Sequence, residues 1–177
     1  MKTKTLLRIA MLGAIGYVLM LLEFVVLPTA SFLKLNLCDV PSLFAAFSMG
    51  PFAGLAVVLI ENLLHLLQTT SGGVGELANV LISGTLVLTA GFFYRNFHTK
   101  KGAFIGLSLA SILMVVMAAF ANRYILLPMY MASAPASAYA ALIFSAVVPF
   151  NLIKAVVVTT LTMCLYKPLS PLLKNKS

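Results

Sequence analysis

Lys154 stands inside a long apolar run, three positions after Asn151, and residues three apart share one face of a helix. An ammonium group is costly there, and where one occurs it faces a bundle interior or a water-filled path. With the Asn151 carboxamide on the same face, the pair reads as a ligand site. The competing roles for Lys154 are an internal salt bridge and a lysine snorkelling near a helix end. Pro149, just upstream, loosens the local hydrogen-bond ladder and can expose a carbonyl. Asn122 supplies carboxamide chemistry near the end of the preceding run. Its neighbour Arg123 reads either as a second polar contact or as an interfacial arginine reaching for headgroups.

Two further polar groups interrupt apolar runs. Glu76, Asn79 and Ser83 share a helical face, with Glu76 placed to contact a ligand or to order the preceding loop. Glu61, Asn62 and His65 fit an internal polar network, and Glu23 an interfacial position. The four acidic residues are too scattered to form a catalytic pair, and no GxSxG or HExxH segment is present. A GxxxxGK[ST] phosphate loop is likewise missing, so ATP would have to be used by another subunit. No His or Cys spacing points to a metal, and no cofactor is implied.

The elements that must position these groups are membrane helices. Of 177 residues, 62% are hydrophobic and 9% charged, against about a quarter charged in a soluble domain. Such a chain suits one integral membrane domain, residues 1–177, with five or six crossings of about 20 residues each. The net charge of +8 suggests nucleic acid only until its placement is considered. Lys2, Lys4 and Arg8 precede the first apolar run; Arg95, Lys100 and Lys101 lie between two runs; Lys167, Lys174 and Lys176 follow the last. That is the positive-inside pattern, and it predicts cytoplasmic N and C termini.

The predicted fold is therefore an all-α membrane protein of six transmembrane helices, one of them short. Helix 1 runs over 5–27 as a retained span, too long for a signal-peptide core, and stops at Pro28. An external loop, 28–39, alternates Phe32, Lys34, Asn36 and Cys38 with Leu33, Leu35 and Leu37, a strand-like period of two. A short helix over 40–49, capped by Asp39, cannot cross a bilayer alone and points to a protein-enclosed external pocket beside that loop. Gly50-Pro51 breaks the chain before helix 3, 52–68. Helix 4 covers 76–94, helix 5 102–127 up to Pro128, and helix 6 138–166. Cys38 and Cys164 fall at opposite membrane faces, which argues against a disulfide.

Four segments carry a resemblance: LKLNLCDVPSLFAAFSMGPFAGL, ENLLHLLQTTSGGVGELAN, ANRY and PFNLIK. Through them the chain resembles the substrate-binding S components of energy-coupling factor transporters, and within them the riboflavin-specific branch. The resemblance implies a multi-pass protein of the bacterial plasma membrane that captures riboflavin outside. Delivery would be shared with a transmembrane coupling subunit and two ATPase subunits. It also implies that Asn122, Asn151 and Lys154 meet the polar edge of the isoalloxazine, and Glu76 and Asn79, by their position near the external pocket, are added as ligand contacts. Leu35 and Leu37 would then cover the dimethylbenzene end, and Ala10 and Ala14 on helix 1 would dock on the coupling subunit. An S component for thiamine, folate or pantothenate, or a membrane protein outside transport, is the alternative.

Overall fold

The computed structural model describes residues 3–131 and 133–174; Lys2 and Lys176 of the basic clusters lie outside the described residues. Among these residues six helical units make the bundle. They are α1 (Thr3–Leu21), the short α2 (Asp39–Met49), α3 (Pro51–Gln68), α4 (Val74–Asn96), α5 (Lys100–Tyr130) and α6, whose apolar span is Ala136–Tyr166. The last helix continues to Lys174. All but α2 are long and apolar enough to cross a bilayer. Their outer faces carry exposed Leu7, Ile15, Ile112, Val116, Phe144 and Val156, as expected where hydrocarbon replaces water as the solvent.

The helix α2 is buried on every side: all nine residues from Asp39 to Phe47 are buried. A helix apolar around its whole circumference has to be surrounded, and α2 fills the centre of the bundle. Leu43 and Phe47 pack there with Val58 of α3, Leu86 and Val87 of α4, Leu107 and Met114 of α5, and Val158 of α6. Gly50 joins α2 to α3 at φ +105, a conformation that costs a side-chain-bearing residue but not glycine. Pro51 then starts α3, where its missing N–H is harmless.

Besides the extension of the last helix beyond 166 to Lys174, the structure corrects the predicted helix ends in two places. The first helix stops at Leu21 rather than Leu27, because the remaining residues enter a two-stranded hairpin. In it β1 (Phe24–Val25) pairs antiparallel with β2 (Lys34–Leu35), Phe24 opposite Leu35. Helix 5 runs past Pro128 to Tyr130. It can do so because residues Asn122–Leu126 form a π turn just before the proline. A proline lacks an N–H and its ring collides with the carbonyl four residues back, and the wider turn accommodates both defects. The same device recurs in α6, where the π turn Ile143–Val147 precedes Pro149.

Candidate ligand-binding site

Asp39 Oδ2 lies 2.9 Å from Lys154 Nζ, and both side chains are almost wholly buried. Lys154 also donates to Asn79 Oδ1 at 3.2 Å and Ser83 Oγ at 3.3 Å. Asn79 in turn donates to Asn62 Oδ1 at 3.2 Å and to Cys38 Sγ at 3.6 Å, while Cys38 donates to Asn36 Oδ1 at 3.0 Å. This network links the loop before α2 to α3, α4 and α6. A buried charge is tolerable only when it is paired and hydrogen-bonded, and Lys154 meets both conditions.

Asn122 and Asn151 stand beside the two π turns. Each donates one side-chain N–H to the carbonyl four residues back, Asn122 to Ala118 and Asn151 to Val147, both at 2.8 Å. Those bonds fix the two carboxamides, and among the described residues neither Oδ1 has a protein partner. Both residues are buried, and both line a cavity of about 260 Å³ together with Lys154. The cavity opens at the end of the bundle where α1 ends and α4 begins. Phe32, Leu33, Ile82, Leu126 and Phe150 supply apolar wall. A mostly apolar chamber with a few convergent polar atoms is the usual form of a small-molecule site.

The rim is a second polar chain. Lys34 on β2 pairs with Glu23 at 2.6 Å; His65 Nε2 lies 3.8 Å from Glu23, and its Nδ1 lies 2.7 Å from Glu76. The other oxygen of Glu76 accepts from Thr69 and Ser71, each at 3.1 Å. Glu76 therefore orders the 69–75 turn and ties it to α3. Through His65 and Glu23 the hairpin is held over the same mouth.

Comparison with known proteins follows the same lines. A sequence model of the family described as "ECF transporter, substrate-specific component" matches residues 4–166. The chain belongs to that family. A Staphylococcus aureus relative named riboflavin transporter RibU is 36% identical over 178 residues, covering 98% of this chain and 94% of the relative. The Bacillus subtilis riboflavin transporter FmnP is 32% identical over 184 residues, covering 99% and 97%. A solved structure described as the S component of a bacterial ECF transporter superposes with a TM-score of 0.86 at 36% identity, covering 99% of this chain and all of that one. This S component is thus a transport subunit of the membrane rather than an enzyme.

Five of the residues singled out from sequence, Glu76, Asn79, Asn122, Asn151 and Lys154, line one cavity in the S component. Leu35 and Leu37 do not. The period of two in their segment turns Asn36 and Cys38 inward, and it is Phe32, Leu33, Lys34 and Asn36 that reach the cavity. Asp39 is not the helix cap: Cys38 holds the cap position, and Asp39, the first residue of α2, is the ion partner of Lys154. Glu61 and His65 share a helix face but serve different networks. Glu61 accepts from Ser42 at 3.2 Å beside α1, whereas His65 serves the rim. Arg123 donates to Ala136 O at 2.9 Å and lies over the Tyr139 ring, which fastens α5 to the start of α6. Ala10 and Ala14 are exposed on the outer face of α1, and both cysteines are free.

Proposed function

We propose that this S component binds riboflavin in the cavity between the hairpin and helices α4, α5 and α6, as the capture step of vitamin uptake. The observation that carries the proposal is the convergence of Asn122, Asn151 and Lys154, from two helices, on one cavity wall. An isoalloxazine presents an imide N–H between two carbonyls. A free Asn Oδ1 accepts from that N–H, and the remaining carboxamide N–H groups and Nζ donate to the carbonyls. The three hydrogens of Lys154 already have three acceptors, so a ligand carbonyl would take the place of the longest contact, Ser83. In this arrangement Asp39 and Asn79 hold Nζ in position, and Glu76 orders the rim.

The proposal is tested by titrating riboflavin against the purified protein and following the quenching of flavin fluorescence. Saturable quenching that thiamine, folate and pantothenate do not reverse is expected; displacement by one of those vitamins would reassign the ligand. Asn122→Ala and Asn151→Ala should each weaken binding about tenfold, the effect of a lost hydrogen bond of roughly 1–1.5 kcal/mol. An affinity unchanged in both variants would remove the carboxamides from the site.

The reading extends to orientation and partners. The cavity opens outside, and the basic 95–101 loop with both termini faces the cytoplasm, as the Lys and Arg distribution favours. Energy comes from two ATPase subunits through a transmembrane coupling subunit, which contacts the exposed Ala10 and Ala14 face of α1. A cysteine introduced as His98→Cys in a Cys164→Ser background should stay unlabelled by an impermeant maleimide applied to intact cells, and react once the cells are permeabilised. Labelling of intact cells would invert the topology.

A further inference from the structure

A second cavity, of about 290 Å³, lies at the opposite end of the bundle from the ligand site. Its origin is the shortness of α2. The α2–α3 turn packs at Gly91 of α4, where an added Cβ would fall 2.9 Å from Pro51 Cα. Beyond that point α4 continues for more than a helical turn, to Asn96. The turn therefore stops short of its neighbour and leaves space beneath it. Ala46 and Phe47, both buried, form the inner wall; Arg95 and His98, both exposed, stand at the opening.

We propose that this cavity holds the headgroup of one anionic phospholipid, its phosphate between Arg95 and His98 and an acyl chain lying over Phe52. Three observations select a lipid. The cavity pairs the Arg95 guanidinium and the N–H donors of His98 at the mouth with an apolar wall, which matches an amphiphile better than a free anion. Its lip is Phe52, 68% exposed and packed edge to face on exposed Phe92 at 5.6 Å, a ready path for a chain to leave the cavity into the hydrocarbon. Lys100 and Lys101 follow in the first turn of α5, and basic pockets between membrane helices on the positively flanked side bind anionic headgroups.

Native mass spectrometry of the full chain, released from nanodiscs of phosphatidylcholine with phosphatidylglycerol, tests this. The parent should retain one phosphatidylglycerol in preference to phosphatidylcholine. Arg95→Gln/His98→Gln should lose that preference by tenfold or more with its riboflavin affinity unchanged, and Arg95→Lys/His98→Lys should keep it. Equal retention of phosphatidylglycerol by the parent and the Gln variant would overturn the proposal. So would its displacement by millimolar inorganic phosphate, which would mark a site for the free anion, or an equal preference in Phe52→Ser, which would take the chain off the lip.

Discussion

Lys154→Met is expected to lower riboflavin affinity by tenfold to more than a hundredfold and, at the same time, to destabilise the fold. The first effect follows from the loss of a donor to a buried ligand carbonyl, about 1–3 kcal/mol. The second has a separate cause. Asp39 sits 2.9 Å from Nζ with no exposure, and removing one member of a buried ion pair leaves the other uncompensated, at a cost of about 3–5 kcal/mol. A single variant therefore confounds the two. The double variant Asp39→Asn/Lys154→Met separates them, because it removes both charges and keeps the volumes. Its thermal transition, followed by circular dichroism since the chain has no Trp, should return towards that of the parent, while riboflavin binding should stay weak. If the double variant bound as tightly as the parent, Lys154 would be a structural cation and the ligand edge would have to lie elsewhere in the cavity.

That Asp39 belongs to Lys154 was not legible in the sequence, and the reason is physical. An Asp just ahead of Pro41 and a short apolar run carries the signal of a helix cap, and a contact between residues so far apart along the chain leaves no local trace. Lys154 itself was legible because an ammonium in an apolar run needs an explanation wherever the chain folds. The breaks at Gly50-Pro51 and the shortness of α2 were equally plain, since a run that cannot cross the bilayer must be enclosed. The end of α1 was not. Residues 22–27 are as apolar as the helix before them, and only the pairing of Phe24 with Leu35, fastened by Glu23 and Lys34, takes them out of it. In the same loop the period of two is visible in the sequence but not which set faces inward, so Leu35 and Leu37 are expected where Phe32, Lys34 and Asn36 stand. The π turns before Pro128 and Pro149 were also hidden: when only the regular helix is considered, Pro128 reads as a stop and Pro149 as no more than a loosened ladder inside helix 6.

Replacing Ala10 and Ala14 together by Leu is expected to abolish assembly with the coupling subunit, and with it uptake, while leaving riboflavin binding by the isolated chain unchanged. Both alanines lie on the exposed side of α1, in one stripe with Leu7, Met11 and Val18. Small residues four apart let another helix come close, and membrane helices associate through such packing because the bilayer supplies no hydrophobic drive between them. Extra methylenes on that face would hold a partner helix away without disturbing anything inside the subunit. The inner face of the same helix provides the contrast. A Cβ at Gly13 would come within 2.6 Å of Ile60 Cγ2, and one at Gly16 would overlap the Glu61 carboxylate. Gly13→Leu should therefore lower the thermal transition and impair ligand binding even without a partner. Co-purification with the coupling subunit and fluorescence titration of the isolated chain, applied to both variants, separate the two faces. If Ala10→Leu/Ala14→Leu lost riboflavin binding in the isolated chain as Gly13→Leu does, the outer stripe would serve the fold of the subunit and the docking surface would have to be sought on another helix.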